Sequence, residues 1–324
     1  MKRAFLRTQL RTQPRLRLRI GIFAIACTLG LQARAAVYYV TVAGLGGEPD
    51  YEQRFTAAAK DLDKVFKAAS NAAHVYTLSG TQATASQLKE TLGAVARDAK
   101  ADDDFVLVLI GHGSFDGVEY KFNLVGPDVT AGEIAAMCDH IPTRRQLVVD
   151  TTSASGGAIQ ALERPGRAVI AATKSGTEKN ATVFARYWVE ALQDPAADTD
   201  KSDSISAMET FIYATTKTAA FYDSQKRLAT EHAVFEDAGH GEPVREAGNG
   251  QGTLLSSFTL LRLGTSQQAA NDPAKRELLA KKEELEQKID MLKYKKAAMD
   301  PADYKKQLTE ALLELAKVQE VLDK

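Results

Sequence analysis

Cysteine is scarce in this sequence: its 324 residues include only Cys27 and Cys138. Cys27 lies in an N-terminal segment that we expect to be removed, and one remaining cysteine cannot form an internal disulfide. Cys138 ends the apolar helical pattern 134–138, which is typical of a buried core thiol rather than of a nucleophile. The sequence therefore excludes a small fold held together by disulfides.

Long apolar runs are also missing. The N-terminal run 20–31 has 12 residues, too few to span a bilayer as a stable helix. The first 35 residues include eight basic residues and no acidic one, and the run is followed by the small-x-small pattern Ala33-Arg34-Ala35. These features predict a cleaved signal peptide over 1–35. The mature chain would begin near Ala36, in the periplasm or outside the cell, without a stable membrane span. An uncleaved N-terminal anchor is the alternative.

Net charge is almost absent from the full chain, in which 41 basic residues face 42 acidic ones. A nucleic-acid-binding protein would carry a basic excess, so this class is excluded. The composition, 44% apolar and 26% charged, excludes a disordered chain and a multi-span membrane protein. Removal of 1–35 leaves 33 basic residues against 42 acidic ones, a charge of −9. Because 271–324 holds 12 of each sign, this acidity lies in 36–270.

The segment 37–172 alternates short β-branched apolar runs with helical patterns. The runs are not interrupted by polar residues, and helices separate them, so they predict a mostly parallel sheet covered on both faces. The predicted strands are 37–42, 74–78, 104–110, 146–150 and 168–172. Farther on come two helical segments (182–192 and 206–232), a last strand (257–263) and a linker (267–271). We therefore predict a three-layer α/β domain over 36–270.

The C-terminal segment 271–324 is different in kind. Asp272-Pro273 and Asp300-Pro301 each place an N-cap acid before a proline, which is typical of a helix start. Leucines then recur every seven residues in both halves. The segment is predicted to form an antiparallel helical hairpin. Two interpretations remain: the hairpin packs on its own domain, or it forms a coiled coil that makes the protein a homodimer.

Two chemically suggestive sequences follow neighbouring predicted strands. Gly111-His112-Gly113 follows the third strand, and Thr151-Thr152-Ser153 follows the fourth and opens a helix. Parallel sheets place their chemistry at the carboxyl ends of the strands. Histidine is the usual general acid or base near neutral pH. Free N–H groups at a helix start can stabilise an oxyanion. These positions predict a catalytic type of crevice.

The arrangement resembles the caspase–legumain superfamily of cysteine peptidases, and most of all the legumain-like peptidases. The resemblance covers about 37–245. It depends on short motifs whose order and spacing agree: Gly111–Gly113, Ser153–Gly157, 178–192 and 221–232. It implies a caspase/legumain-like α/β sandwich, with His112 at the position of the catalytic histidine and Gly113 in the oxyanion region.

Ser153 occupies the position at which that family has its nucleophilic cysteine. A serine hydroxyl is far less acidic than a thiol and needs a base firmly engaged with it. The resemblance therefore implies one of two functions. The first is a non-catalytic pseudopeptidase that binds or regulates peptides or proteins. The second is an active peptidase or other hydrolase that uses Ser153 as nucleophile and His112 as general base.

A third hydrolase interpretation places the nucleophile at Ser155. Ser153–Gly157 is close to the small-x-Ser-x-Gly elbow of other hydrolases, with His232 or His240 as base. The leading glycine of that motif is replaced here by Ser153, and no clear acid–histidine pair follows in the sequence.

The acidic loop 198–209 has the spacing of a calcium-binding loop. Oxygen-bearing side chains fall at the ligand positions of an EF-hand, and helical patterns flank the loop. Its candidate ligands are Asp198, Asp200, Ser202, Ser204 and Glu209. Asp203 stands where such loops have a glycine, so this position must adopt a left-handed backbone. A Ca²⁺ site and a solvated loop that caps the next helix are the two interpretations.

Overall fold

Strands and helices alternate along most of the chain. A computed structural model describes residues 36–69, 73–248 and 250–324; the predicted signal peptide lies outside them. The strands are β1 (Val37–Ala43), β2 (Ala73–Leu78), β3 (Asp104–Ile110), β4 (Gly113–Phe115), β5 (Tyr120–Phe122), β6 (Val129–Thr130), β7 (Arg145–Asp150), β8 (Arg167–Ala171), β9 (Ser204–Ser206), β10 (Val234–Glu236) and β11 (Thr259–Arg262). The helices are α1 (Pro49–Ala69), α2 (Ala85–Asp98), α3 (Ala131–Asp139), α4 (Ile159–Leu162), α5 (Phe184–Ala191), α6 (Ala207–Ser224), α7 (Thr253–Ser257), α8 (Gly264–Asn271), α9 (Arg276–Lys295) and α10 (Pro301–Leu322).

The central sheet has six strands in the order β2-β1-β3-β7-β8-β10. The first five are parallel, and β10 pairs with β8 in the antiparallel direction. Leu109 of β3 pairs with Asp150 of β7, so these two strands end side by side. Because β10 runs the opposite way, its beginning lies at the same edge. We call this edge, where β3, β7 and β8 end, the carboxyl edge.

Helices cover both faces of the sheet. Helices α1, α5, α6 and α7 pack on one face, here called the α1 face, while α2, α3 and α4 pack on the other, the α2 face. Strand β3 shows the underlying alternation: Val106, Val108 and Ile110 face α1, and Phe105, Leu107 and Leu109 face α2. Cys138 is buried in the α2-face core. The predicted three-layer α/β fold with a mostly parallel sheet is confirmed.

Three local predictions differ from the structure. The small sheet β4-β5-β6 was not predicted, because strands of two or three residues show no periodicity. The second helical segment was predicted to reach residue 232, whereas α6 ends at Ser224 and the strand β10 follows soon after. The predicted linker 267–271 is part of helix α8, which buries Ala269 and Ala270. The segment is too short and too poor in large apolar residues to show the periodicity of a helix.

The C-terminal hairpin is confirmed, and it packs on its own domain. Helices α9 and α10 are antiparallel, because Lys275 Nζ at the start of α9 donates to the carbonyl of Leu322 at the end of α10. Helix α9 is the inner helix, and among its buried residues are Leu285, Ile289 and Leu292. Helix α10 lies outside it. The division of the chain at residues 270 and 271 remains a prediction from the sequence. No helix within the described ranges is long and apolar enough to cross a membrane.

Candidate functional site

The carboxyl edge brings His112 and Ser153 to neighbouring strand ends. Ser153 is buried, with 3% of its surface exposed. Its Oγ donates to the carbonyl of Gly113 at 2.9 Å and accepts from the Gly113 N–H at 3.2 Å. No hydrogen bond joins Ser153 to His112 in the described part of the chain. The serine hydroxyl is therefore bound to the backbone beside the histidine rather than to the imidazole.

His112 turns toward the α1 face, as the alternation of β3 requires. Its ring packs edge-on against Tyr51 at 4.6 Å and Phe55 at 5.1 Å between ring centroids. Burial lowers the pKa of His112, and the nearby Arg54 lowers it further, while a hydrogen bond to the carbonyl of Gly46 opposes both effects. The lowered pKa favours the neutral form of the imidazole, which lines a cavity between α1 and α5.

Gly113 is the residue at which the two strand ends approach each other. A Cβ built on it would lie 2.4 Å from the Ser153 carbonyl oxygen and 2.5 Å from the Tyr120 ring. Only glycine therefore allows this contact without a shift of backbone. Its N–H, which was predicted to lie in an oxyanion region, donates to the Ser153 Oγ instead of pointing to open solvent.

A buried hydrogen-bond network lies beneath Ser153, on the α2 face. Asp150 Oδ1 accepts from the N–H and the hydroxyl of Thr152, and the Thr152 hydroxyl also meets the Tyr120 hydroxyl at 2.7 Å. Burial raises the pKa of Asp150 to about 6, against the lowering effect of these hydrogen bonds. The network fixes the start of the Ser153 loop. One signal for this network is present in the sequence, an aspartate that directly follows the apolar residues 147–149 of β7.

Ser155, the nucleophile of the third hydrolase interpretation, is fully buried. Its Oγ accepts from the N–H of Thr173 at 3.1 Å and lies 3.2 Å from the Thr173 hydroxyl. The residue therefore ties the end of β7 to the segment after β8. Ala154 between the two serines has a left-handed backbone, with φ of 58°.

An acid–histidine pair, Glu178 and His232, was missed from the sequence. Glu178 Oε1 lies 2.5 Å from His232 Nδ1, and its Oε2 accepts from the His232 N–H at 3.1 Å. The pair adjoins the Ser153 loop, because the Ala154 N–H donates to the carbonyl of Glu178. The two residues are 54 positions apart and meet only because β10 begins at the carboxyl edge. His240, the other base considered, is exposed and hydrogen-bonds the carbonyl of Ala238.

The acidic loop brings some of its candidate metal ligands together. Oxygen atoms of Asp198, Asp200 and Glu209 lie within 4.8 Å of one another. Asp198 accepts from the N–H groups of Ser202 and Asp203. Glu209 accepts from those of Thr199 and Ser206 and forms a capping box at the start of α6. These carboxylates are thus already bound to backbone donors. The backbone of Asp203 is left-handed, with φ of 58°, as the spacing predicts.

Ser202 and Ser204 share a cavity with two of these carboxylates, Asp200 and Glu209. Their hydroxyls lie 2.9 Å from each other, and both residues line a cavity of about 180 Å³ between the loop and α9. Among the other residues that line this cavity are Glu283, Glu286 and Asp290 of α9. Burial raises the pKa of Glu286 to about 7, although Lys282 lowers it.

Comparison with known proteins finds solved structures of distant similarity. No family model and no curated protein matches the sequence. A structural-genomics target protein from Geobacter sulfurreducens is 13% identical with a TM-score of 0.46, over 72% of this chain and all of that chain. The Drosophila initiator caspase Dronc is 12% identical with a TM-score of 0.43, over 78% of this chain and 98% of that chain. Similarity of this size does not establish a family for the chain.

Proposed function

We propose that the protein binds peptide or protein segments at its carboxyl edge without cleaving them. The observation that supports this proposal is the environment of Ser153, whose hydroxyl is buried and bound on both sides by Gly113. A serine nucleophile needs a base in hydrogen-bond contact with it, and the imidazole of His112 packs instead among aromatic rings. We also propose that the mature chain acts in the periplasm or outside the cell, after cleavage near Ala35.

The Gly113 N–H already donates to the Ser153 hydroxyl, and this hydrogen bond supports the same proposal. Stabilisation of an oxyanion depends on donors that are aimed at the position where its charge develops. A donor that already serves a neighbouring hydroxyl is not available for this task. The legumain-like crevice would then be kept as a surface for recognition.

The experiment uses the mature protein, a synthetic peptide library and a serine-directed phosphonate probe. We expect some peptides to bind, no peptide to be cleaved and Ser153 to remain unlabelled. Labelling of Ser153 that disappears in His112→Ala would overturn the proposal, as would a library in which no peptide binds. Ser153→Cys is the informative variant. Cleavage by this variant, but not by the natural protein, would show that the crevice is inactive because it has serine at position 153.

The second candidate is an active hydrolase with Ser153 as nucleophile and His112 as base. It is favoured by the lowered pKa of His112, since a neutral imidazole is the form that accepts a proton. It requires the Ser153 hydroxyl to leave Gly113 and turn to the imidazole when substrate binds. Phosphonate labelling that follows the titration of one histidine would support it.

A further inference from the structure

A cavity of about 510 Å³ opens beside His112, between α1 and α5. This volume is within the range of small-ligand pockets. The cavity lies on the α1 face and is lined by residues of both helices and by Phe221 of α6. Ser153 is not among the residues that line it. We call it the α1–α5 cavity.

The walls of the α1–α5 cavity are mainly apolar. Ala58 of α1, Ala185 and Val189 of α5, and Ile110 of β3 supply aliphatic surface, and Phe55 and Phe221 supply aromatic surface. Apolar surface of this kind gains free energy when a large apolar side chain displaces water from it. The cavity therefore suits a large aliphatic or aromatic side chain.

Two arginines line the same cavity. The guanidinium of Arg54 lies over the Tyr51 ring at 4.5 Å from its centroid, and that of Arg186 lies over the Tyr187 ring at 5.3 Å. Neither forms an ion pair with a carboxylate of the described residues. Both are exposed on the surface of their helices. Arginine is suited to bind a carboxylate because its planar fork matches the two oxygens.

The charges of the cavity are separated along the helices. Asp61 lies seven residues after Arg54 on α1, which is two turns or about 10 Å along the axis. Glu190 lies one turn after Arg186 on α5, and its carboxylate is already bound by Lys217 and Tyr213. Arg54, which contributes to the field at His112, is thus on the half of the cavity nearest the carboxyl edge. The charged side chains that line this half are Arg54 and Arg186, beside apolar wall residues; Glu48, which does not line the cavity, opposes the effect of Arg54 on His112.

We propose that the α1–α5 cavity binds the C-terminal residue of a peptide, with its carboxylate on Arg54 and Arg186 and its large apolar side chain against the cavity wall. A C-terminal residue carries a carboxylate and a side chain on one Cα, which is the combination that this half of the cavity complements. This inference rests on the proposed peptide-binding function and assigns that function a ligand class.

The test compares three acetylated tetrapeptides by calorimetric titration: Ala-Ala-Ala-Phe with a free carboxylate, the same peptide as its C-terminal amide, and Ala-Ala-Ala-Ala with a free carboxylate. We expect the first to bind about tenfold or more tightly than either of the others. The amide loses the charge-assisted hydrogen bonds of the carboxylate, and the all-alanine peptide loses the buried ring. Arg54→Gln and Arg186→Gln should each remove most of the difference between acid and amide. Ala58→Leu should weaken binding by filling the cavity.

Arg97→Gln, on the exposed surface of α2, is the matched control and should bind like the natural protein. Equal binding of acid and amide, or unchanged binding by both arginine variants, would overturn the inference. If library peptides bind with affinities that do not depend on their C-terminal residue or carboxylate, this ligand class is refuted and the proposed peptide-binding function is not. Absence of binding by any library peptide would refute both.

Discussion

The contact between Gly113 and Ser153 sets the chemical state of the candidate site. A serine hydroxyl donates only one proton, and that of Ser153 is donated to the carbonyl of Gly113, so it is not available to a base. The contact itself depends on the absence of a side chain at Gly113, where backbone and ring atoms already occupy the Cβ position. The residue after His112 therefore controls the residue that would be the nucleophile.

Gly113→Ala is expected to destabilise the protein by about 1–3 kcal/mol, because the added methyl group overpacks a site that cannot expand. Its nearest contacts would be the Ser153 carbonyl, the Tyr120 ring and the Thr152 hydroxyl. Denaturant unfolding, followed by fluorescence, measures the change. The control is Gly132→Ala on the exposed side of α3, where the nearest atom lies 3.9 Å away and helix propensity favours alanine. Equal effects of the two substitutions would contradict the role of Gly113.

At the same scale, the sequence located His112 and Ser153 but not their relation. Their places at strand ends follow from the apolar runs before them. The imidazole points to the same face of the sheet as Ile110, two residues earlier. The sequence shows this alternation, but only the structure shows that α1 covers that face. The pairing of Glu178 with His232 depends on an antiparallel strand of three residues, too short to be predicted.

At the scale of elements, the loop before α6 combines a helix cap with a cluster of carboxylates. Glu209 caps α6 through Oε2, which accepts from the Ser206 N–H, while its Oε1 accepts from the Thr199 N–H of the loop. Burial raises the pKa of Glu209, as it does that of Asp198. Carboxylates that are costly to ionise are stabilised by a nearby cation. The sequence-based prediction of a Ca²⁺ site in this loop can therefore be tested by its effect on stability.

Millimolar Ca²⁺ is expected to raise the melting temperature of the protein by a few degrees. A ligand at ten times its Kd adds about 1.4 kcal/mol to the stability of the folded state. Asp200→Asn should abolish the shift, because Asp200 contributes to the cluster without capping the helix. Asp61→Asn, in an exposed part of α1, is the control. A melting temperature that is the same in Ca²⁺ and in EDTA would exclude the site.

Helix α9 is joined to the acidic loop through Lys282. This lysine is 4% exposed, and its Nζ donates to the carbonyl of Ser202 and to the Ser266 hydroxyl. Its Nζ also lies 3.2 Å from Glu286 Oε1. The pKa of Glu286 is about 7, above its ordinary value of 4.5, so the folded chain holds this proton more tightly than the unfolded chain does.

The contribution of Glu286 to stability is therefore complete below about pH 4.5 and is lost as the pH rises through 7. The unfolding free energy then falls by at most about 1.4 kcal/mol per pH unit, since one proton is involved. Glu286→Gln should flatten the pH dependence of the unfolding free energy between pH 5 and 8. Glu284→Gln, an exposed change on the same helix, should leave it intact. Equal slopes for the two variants would contradict the assignment.

At the scale of the whole molecule, the two helices of the hairpin differ in how far their apolar residues are buried. Helix α9 packs on the domain, whereas α10 buries only Ala311 and Leu322 among its residues. Leu312 and Leu313 of α10 are 47% and 59% exposed. Packing of the hairpin on its own domain leaves the predicted homodimer open, because the outer face of α10 is still available.

If two copies associate through α10, light scattering of the mature protein should give twice the mass of one chain. The double variant Leu312→Glu with Leu313→Glu should give the mass of one chain with an unchanged circular dichroism spectrum, because charges replace apolar contacts on an exposed face. Lys306→Glu, also on α10, serves as the control for added acidity. A single-chain mass for the natural protein would refute the homodimer.

The sequence alone determined the layers of this protein, the positions of His112 and Ser153, and the C-terminal hairpin. These follow from local periods and from residues that begin or end elements, and both are written in consecutive positions. Tertiary structure decided what those residues contact. Whether Ser153 meets an imidazole or a backbone amide, and whether Glu178 finds His232, depends on strand order, register and face. These properties arise from packing between segments distant in the chain, and no local pattern encodes them.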